Sequence, residues 1–386
     1  MNATHPATNA THPATPATGT PSDPATKTGA GTGTGTGTDT GTRTSTDPAT
    51  NTRTRTALTV HQIARPTGFP APDHFRFVES PVPEPAPGTV LVENLYWSVD
   101  PYHREMMDGD FELNAPLEGR ALGRVIASRD PALEEGEIVF HRHGWRTHAV
   151  VRPEETRRLP HHEGVPLSAY LSILGGTGLT AYVGLTRIAR LREGDDLFVS
   201  SAAGGVGTAT GRLARLMGAG RLVGSAGSPA KVAYLKEHVG YDAAFDYHAG
   251  PVADLLAGAA PDGIDVFVDN VGGDHLGAAI GALRERGRVV RVGTVGQYNT
   301  PEAPLALFNH ADVVEKSLRI EGFLVRNHLD VQEELYEFAV PHLRSGRLAL
   351  DETVVDGFER IVEAFLSMLH GGNTGKIIVR DASQTP

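Results

Sequence analysis

Asp196-Leu-Phe-Val-Ser-Ser-Ala-Ala-Gly-Gly-Val-Gly207 decides how the rest of this chain is read. A short apolar run enters a turn of small residues, and helical spacing takes over from Val206 to Met217. Ala202 stands where a full dinucleotide fingerprint has its first glycine, and Gly204 and Gly207 keep the last two. Gly204 lets backbone N–H groups approach a pyrophosphate, and Gly207 lets the helix pack close to the sheet. A Gly-x-x-Gly among small residues is as often a plain turn, so the flanking pattern carries the reading.

Downstream, the same rhythm repeats. Strands are expected at Arg221–Ser225, Ala243–Asp246, Ile264–Asp269, Arg288–Val292 and Leu318–Gly322. Helices are expected between them at Pro229–His238, Val252–Gly258 and Asp274–Arg284. Strands alternating with helices imply a parallel sheet covered on both faces, here a doubly wound Rossmann domain. Where a site selective for NAD places an acid about 20 residues past the glycines, this chain has Gly224-Ser-Ala-Gly-Ser228 followed by Lys231. A lone helix lysine is ordinarily solvated. With the acid missing, small residues make room for a 2′-phosphate and Lys231 can pair with it, which points to NADPH.

Upstream, Ala57 to Leu174 is rich in Pro and Gly and carries β-like runs at Thr89–Asn94, Gly123–Ala127, Glu137–Phe140 and Thr147–Val151. Beyond Leu329, a helical stretch at Val331–Arg344 leads to a β-flavoured segment ending in Gly375–Arg380. The expected fold class is therefore α/β, with a β-rich catalytic domain from residues 57–176 and 330–386 and an inserted NADP-binding domain at 177–329. Residues 1–56, almost all Thr, Ala, Pro, Gly, Asn, Ser and Asp, have no aliphatic pattern with which to offset ordering entropy and are expected to be disordered. A start codon placed too far upstream is the alternative, which intact-mass analysis of the native protein distinguishes. The chain has no cysteine, which excludes disulfides and thiolate metal sites. No apolar run approaches the ~18 residues of a membrane span, and a net charge of −11 argues against nucleic acid. A soluble cytoplasmic protein is expected.

Six stretches then occur in order: Asn94-Leu-Tyr-Trp-Ser-Val-Asp-Pro-Tyr-His-Arg104, Gly178-Leu-Thr-Ala-Tyr182, Ala226-Gly-Ser-Pro-Ala-Lys231, Asp269-Asn-Val-Gly-Gly273, Gly296-Gln-Tyr-Asn299 and Asn373-Thr-Gly-Lys376. Together they resemble the zinc-free branch of the medium-chain dehydrogenase/reductases, the prostaglandin reductase and alkenal double-bond reductase group, over essentially Ala57 to Arg380. The resemblance implies a GroES-like β domain, a homodimer, and NADPH-dependent reduction of the C=C bond of α,β-unsaturated ketones and aldehydes. It implies a phosphate turn of Gly204, Gly205, Val206 and Gly207, with Lys231 on the 2′-phosphate and Tyr247 near the adenosine. Asn270, Gly293, Phe323, Leu324, Val325 and Asn373 complete the implied cofactor set. Three departures fall in the substrate half: His103 where the family has Met, Glu118-Gly-Arg120 for a glycine-richer stretch, and Trp97 for a smaller apolar residue.

Hydride delivery to an enone builds negative charge on its carbonyl oxygen, and a phenol that stays protonated near neutrality is a suitable donor to it. Tyr298, following the fifth strand, is the first catalytic candidate and Tyr102 the second; either can instead be a packed ring. His141, His143 and His148 are read as a solvated strand face, with no metal expected, and Asp269 as a backbone-orienting acid. Asn373-Thr-Gly-Lys376 is also good turn chemistry. The competing functions are a quinone reductase of the same superfamily and a non-catalytic NADPH-binding protein.

Overall fold

The computed structural model describes residues 56–300, 302 and 305–384. The reading of the N-terminal tail therefore lies outside the described residues, except for Thr56, which opens the first strand. An antiparallel pair, β1 (Thr56–Gln62) and β2 (Phe75–Pro81), is followed by β3 (Val90–Ser98), α1 (Tyr102–Met106) and β4 (Ala121–Ser128). Next come β5 (Ile138–His141), β6 (His148–Val151), β7 (Arg157–Arg158) and α2 (Gly176–Val183). A π turn at Gly184–Ala189 prolongs α2 and ends in left-handed Arg190.

The alternation then runs β8 (Leu197–Val199), α3 (Gly205–Leu216), β9 (Leu222–Ala226), α4 (Pro229–Tyr234), β10 (Ala243–Asp246), α5 (Val252–Ala259) and β11 (Ile264–Asp269). It continues through α6 (Gly273–Ala282), β12 (Leu283–Arg291), α7 (His310–Glu315) and β13 (Arg319–Gly322). The chain returns with α8 (Gln332–Arg344), β14 (Glu352–Asp356), α9 (Ile361–Leu369) and β15 (Lys376–Arg380).

All six strands of the second sheet are parallel, in the order β10-β9-β8-β11-β12-β13. The order reverses between β8 and β11, and the crevice beyond the strand ends at such a switch point is where doubly wound sheets take ligands. Leu197, Phe198 and Val199 of β8 are wholly buried because helices cover both faces. The other large sheet, β14-β15-β3-β4-β5-β7 with β6 on β3, joins segments from both sides of the α/β unit. Here β15 runs antiparallel to β3, so the end of the chain closes the sheet that its beginning opened.

Three readings are corrected. The segment after α8 is not simply β-flavoured: α9 buries Ile361, Val362, Ala364 and Phe365 along one face, a helical spacing that its β-branched start disguises. The fifth strand begins at Leu283 rather than Arg288, because Leu283 is buried in the core and Arg284 is tied to Asp196 (2.7 Å) and Asp265 (2.6 Å). The histidines do not form one solvated face. His141 is fully buried, its Nε2 lies 2.8 Å from Asn94 Oδ1, and its Nδ1 accepts from His143 N–H at 3.1 Å. Burial pushes its pKa down to about 3.

Candidate active site

The turn between β8 and α3 is shaped by contacts that leave no room for side chains. A Cβ on Gly207 would lie 2.4 Å from Ala202 O, so the helix can start this close to the strand only with glycine there. Ser201 adopts a left-handed φ of 50°, and Gly204 caps the helix in extended conformation. The first N–H groups of α3 have no intrahelical acceptor, which makes this end a natural anion site. The catalytic sheet closes over it. Gly375, at φ 68°, donates its N–H to Ala203 O at 2.8 Å, and Gly204 and Gly375 form a parallel bridge. Asn373 donates its side-chain amide to Gly375 O at 2.8 Å, so it shapes this turn, and the turn meets the phosphate loop.

At the end of β9, Ser228 caps α4 by accepting from Lys231 N–H at 3.3 Å. Lys231 is half-buried, burial lowers its pKa, and its ammonium has no acidic partner among the described residues. A cation held that way favours an anionic ligand over a solvated surface role. Gly227 faces Tyr247, whose hydroxyl would lie 3.0 Å from a Cβ there. The small residues and the aromatic ring thus flank one space beside Lys231. These features fit NADPH: a glycine turn at a helix start, no acid where NAD selection needs one, and an unpaired lysine one turn on.

Asp269 ends β11 and acts as a structural acceptor. It accepts from Ser200 Oγ at 3.0 Å, from Val271 N–H and Gly272 N–H at 3.0 and 2.9 Å, and from Arg291. Asn270 is buried and donates its amide to Ser200 O at 2.8 Å, fixing the strand ends around the switch point. Beyond them opens a cavity of about 400 Å³ lined by Arg291, Val292, Gly293, Thr294, Phe323 and Leu324, with Gly322 and Asn327 at its margin. Gly293, Phe323 and Leu324 are therefore brought to one cavity, and Phe323 and Val325 both pack against the core beside it. Arg291 was not singled out by the sequence; a charged residue closing an apolar strand was the available signal.

The two candidate tyrosines lie on segments that one buried arginine joins. Arg104, two residues after Tyr102 in α1, is 3% exposed and donates to Gly68 O (3.0 Å), Asn299 Oδ1 (3.2 Å) and Asp108 (2.7 Å). This latch joins α1 to the loop that carries Tyr298. The Tyr298 pKa is raised by burial first and by the Glu105 carboxylate second, while hydrogen bonding with Thr294 works against the rise. The Tyr102 hydroxyl is buried with no hydrogen-bond partner among the described residues, and burial raises its pKa as well. Both phenols therefore stay protonated through neutral and mildly alkaline pH.

Beneath Tyr102 lies a charged cluster. Asp100 accepts from Ser98 Oγ at 2.7 Å and contacts Lys376 Nζ and Arg120 Nη1, each at 3.1 Å. Burial works to raise the Asp100 pKa, but Lys376 and then Arg120 hold it well below the ordinary carboxylate range. His103 is 1% exposed among Tyr102, Phe111, Trp145 and Phe365, and neither ring nitrogen has a partner among the described residues. Burial pushes its pKa down to about 3, so it is neutral. Among the described residues, no group of three or more His, Cys, Asp or Glu could hold a metal ion, and no helix is long and apolar enough to cross a membrane.

Comparison with known proteins agrees with this geometry. Residues 59–159 match the family described as the N-terminal domain of oxidoreductase, and residues 205–343 the family described as zinc-binding dehydrogenase. The chain is 38% identical over 325 residues to a putative NADP-dependent oxidoreductase of Bacillus subtilis, covering 82% of this chain and 95% of that protein. It is 34% identical to the NADP(+)-dependent 2-alkenal reductase of Nicotiana tabacum, covering 81% and 94%. The crystal structure of CurA from Vibrio vulnificus in complex with NADPH superposes with a TM-score of 0.79 at 30% identity, over 85% of this chain and 100% of that one.

Proposed function

Since this chain belongs to the zinc-free medium-chain dehydrogenase/reductases and is an NADPH-dependent oxidoreductase, we propose that it reduces the C=C bond of α,β-unsaturated ketones and aldehydes. The observation that carries this reading is the Tyr298 phenol, four residues after Thr294 of the cavity wall, whose pKa is raised by burial and whose loop is held to α1 through Arg104 and Asn299. When bound, NADPH supplies the hydride. As the β-carbon of the substrate accepts it, negative charge collects on the carbonyl oxygen, and Tyr298 donates a hydrogen bond to that oxygen. Tyr102, on α1, is the second donor candidate. The Arg104–Asn299 latch holds α1 against the loop that carries Tyr298. NADPH consumption with a panel of enones, enals and quinones tests the proposal. Turnover of enones and enals above quinones is expected, quinones alone would mean a quinone reductase, and no oxidation at all would leave only a binding protein.

In the same reading Gly204, Gly205, Val206 and Gly207 hold the pyrophosphate, Lys231 the 2′-phosphate and Tyr247 the adenosine. Asn270, Gly293, Phe323, Leu324 and Val325 serve the nicotinamide half, and Asn373 contributes through its turn. Lys231→Ala is expected to cost NADPH binding about 1.5–3 kcal/mol, the worth of a charged hydrogen bond, and to leave NADH binding little changed. Fluorescence titration of both cofactors checks this, and an unchanged preference removes Lys231 from the role.

For quaternary structure our reading is a homodimer through β13. That strand ends the parallel sheet, Ile320 within it is 43% exposed, and Leu305, Leu307, Val314, Leu324 and Leu329 are exposed in the segments leading into and out of it. Light scattering is expected to give a dimer mass for the wild type and a monomer mass for Ile320→Glu; a monomeric wild type rejects the reading.

A further inference from the structure

Asp351, immediately before β14, reaches out of the catalytic sheet to two helices of the α/β unit. Its carboxylate accepts from Arg212 of α3, through Nε to one oxygen and Nη2 to the other at 2.9 Å, and from the Tyr234 hydroxyl of α4. The Asp351 side chain is 4% exposed and that of Arg212 15%, so this two-pronged ion pair is held largely out of water and fixes its partners in one geometry. Arg212 Nη2 also donates to His238 O at 3.0 Å, in the π turn at Leu235–Val239 that prolongs α4. The cluster therefore grips α4 at two successive places. Burial first and the bond to Asp351 second push the Tyr234 pKa up to about 12, which keeps its hydroxyl a donor.

The backbone of Asp351 is fixed from the other side. Lys376 donates its N–H to Asp351 O at 2.8 Å, and a Cβ on Gly375 would overlap that oxygen, so glycine alone fits there. The turn that leads into Gly375 begins at Gly371, whose φ is 72° and whose Cβ position lies 3.6 Å from Lys231 Nζ. One turn of the catalytic sheet thus meets Lys231 at its start and Ala203 of the phosphate loop at its end. Lys231 and Tyr234 are three residues apart on α4 and share a face. Burial alone lowers the Lys231 pKa, so no carboxylate of the cluster compensates its ammonium.

We propose that Asp351 is a positioning residue for cofactor choice: by joining α3 to α4 through Arg212 and Tyr234, it fixes where the Lys231 ammonium stands relative to the phosphate turn. This rests on the assignment of Lys231 to the 2′-phosphate and adds the element that aims it. The start of α3 has its own restraints in Gly207 and the Gly204–Gly375 bridge. Loosening the cluster therefore shifts α4 against a phosphate turn that stays in place. NADPH, held at both the pyrophosphate and the 2′-phosphate, depends on that spacing, whereas NADH is held at the pyrophosphate alone.

Fluorescence titration of NADPH and NADH into the wild type, Tyr234→Phe, Asp351→Asn and Lys231→Ala tests this without turnover. Tyr234→Phe, which deletes one hydroxyl, is expected to weaken NADPH about 3- to 10-fold and NADH less than about 2-fold, part of the worth of a hydrogen bond to a charged group because Lys231 is displaced rather than lost. Asp351→Asn should do more, since it leaves the Arg212 charge buried and unpaired. In a Lys231→Ala background, Tyr234→Phe should have no further effect on the NADPH-to-NADH ratio, a non-additivity that a merely structural role does not produce. An equal loss for both cofactors in Tyr234→Phe overturns the proposal, because the cluster would then only hold the two sheets together. So does an unchanged ratio in Tyr234→Phe beside a collapsed ratio in Lys231→Ala, which leaves the Lys231 assignment standing. An unchanged ratio in Lys231→Ala removes that assignment and this proposal with it. If Asp351→Asn fails to fold, Tyr234→Phe and the double variant decide.

Discussion

Tyr298→Phe is expected to lower kcat for an enone by about one to three decades, because one preorganised donor at a developing oxyanion is worth about 2.7–4 kcal/mol. The substitution removes only the hydroxyl and keeps the ring, so the cavity wall and the latch through Asn299 should persist. KM and the dissociation constant of NADPH should change little, since the lost interaction strengthens only as charge develops on the carbonyl oxygen. The pH profile adds a second check. The Tyr298 pKa lies above its ordinary value of 10.0, so the donor form persists below that pH and no loss of activity from its ionisation is expected between neutrality and pH 10. Wild-type turnover in Tyr298→Phe would take the residue out of the mechanism and pass the role to Tyr102. A stopped-flow measurement of the single-turnover rate isolates the chemical step from product release.

His103→Met is expected to stabilise the protein, which is unusual for a change at a buried position. The imidazole is enclosed by aromatic rings with both nitrogens unpartnered among the described residues, and each buried unpaired polar atom costs about 1–3 kcal/mol. Methionine offers comparable volume and no such atoms. Acid makes the contrast larger. The folded-state pKa, about 3, lies below the unfolded value of 6.5, so the folded protein resists taking up this proton. Its contribution to stability is whole above pH 6.5 and is lost progressively as pH falls toward 3, at about 1.4 kcal/mol per pH unit. His103→Met should abolish that share of the slope. His141 shares the depressed pKa but is hydrogen-bonded through both nitrogens, so its replacement should destabilise at neutral pH. Urea denaturation at pH 7 and pH 5 measures both effects. A destabilised His103→Met with an unchanged acid slope would mean that a ligand or water satisfies those nitrogens.

Much of the parallel sheet could be read directly because its determinants are local. The strands β8, β9 and β11 are largely apolar runs closed by small or polar residues, and the glycine turn, the absent acid after β9 and Lys231 all lie within a few residues of those strand ends. Where a competing local signal intervened, the reading slipped: β-branched residues at the start of α9 masked its helical face, and Leu283 was assigned to a helix because α6 runs into it without a break.

The sequence by itself thus determined the α/β class, the strand order's raw material and the cofactor, since periodicity and backbone sterics operate over one or two turns of chain. The tertiary structure alone decided what surrounds Tyr102, His103 and the loop that carries Tyr298. Arg104 reaches Asn299 across 195 residues, Arg120 comes to lie over Tyr102 while paired with Asp100, and His103 loses every polar partner among the described residues when the aromatic side chains close around it. Those contacts depend on how two sheets and their connecting loops pack against each other. No local pattern encodes that distance or orientation, so the phosphate turn was legible from its own residues and the substrate pocket was not.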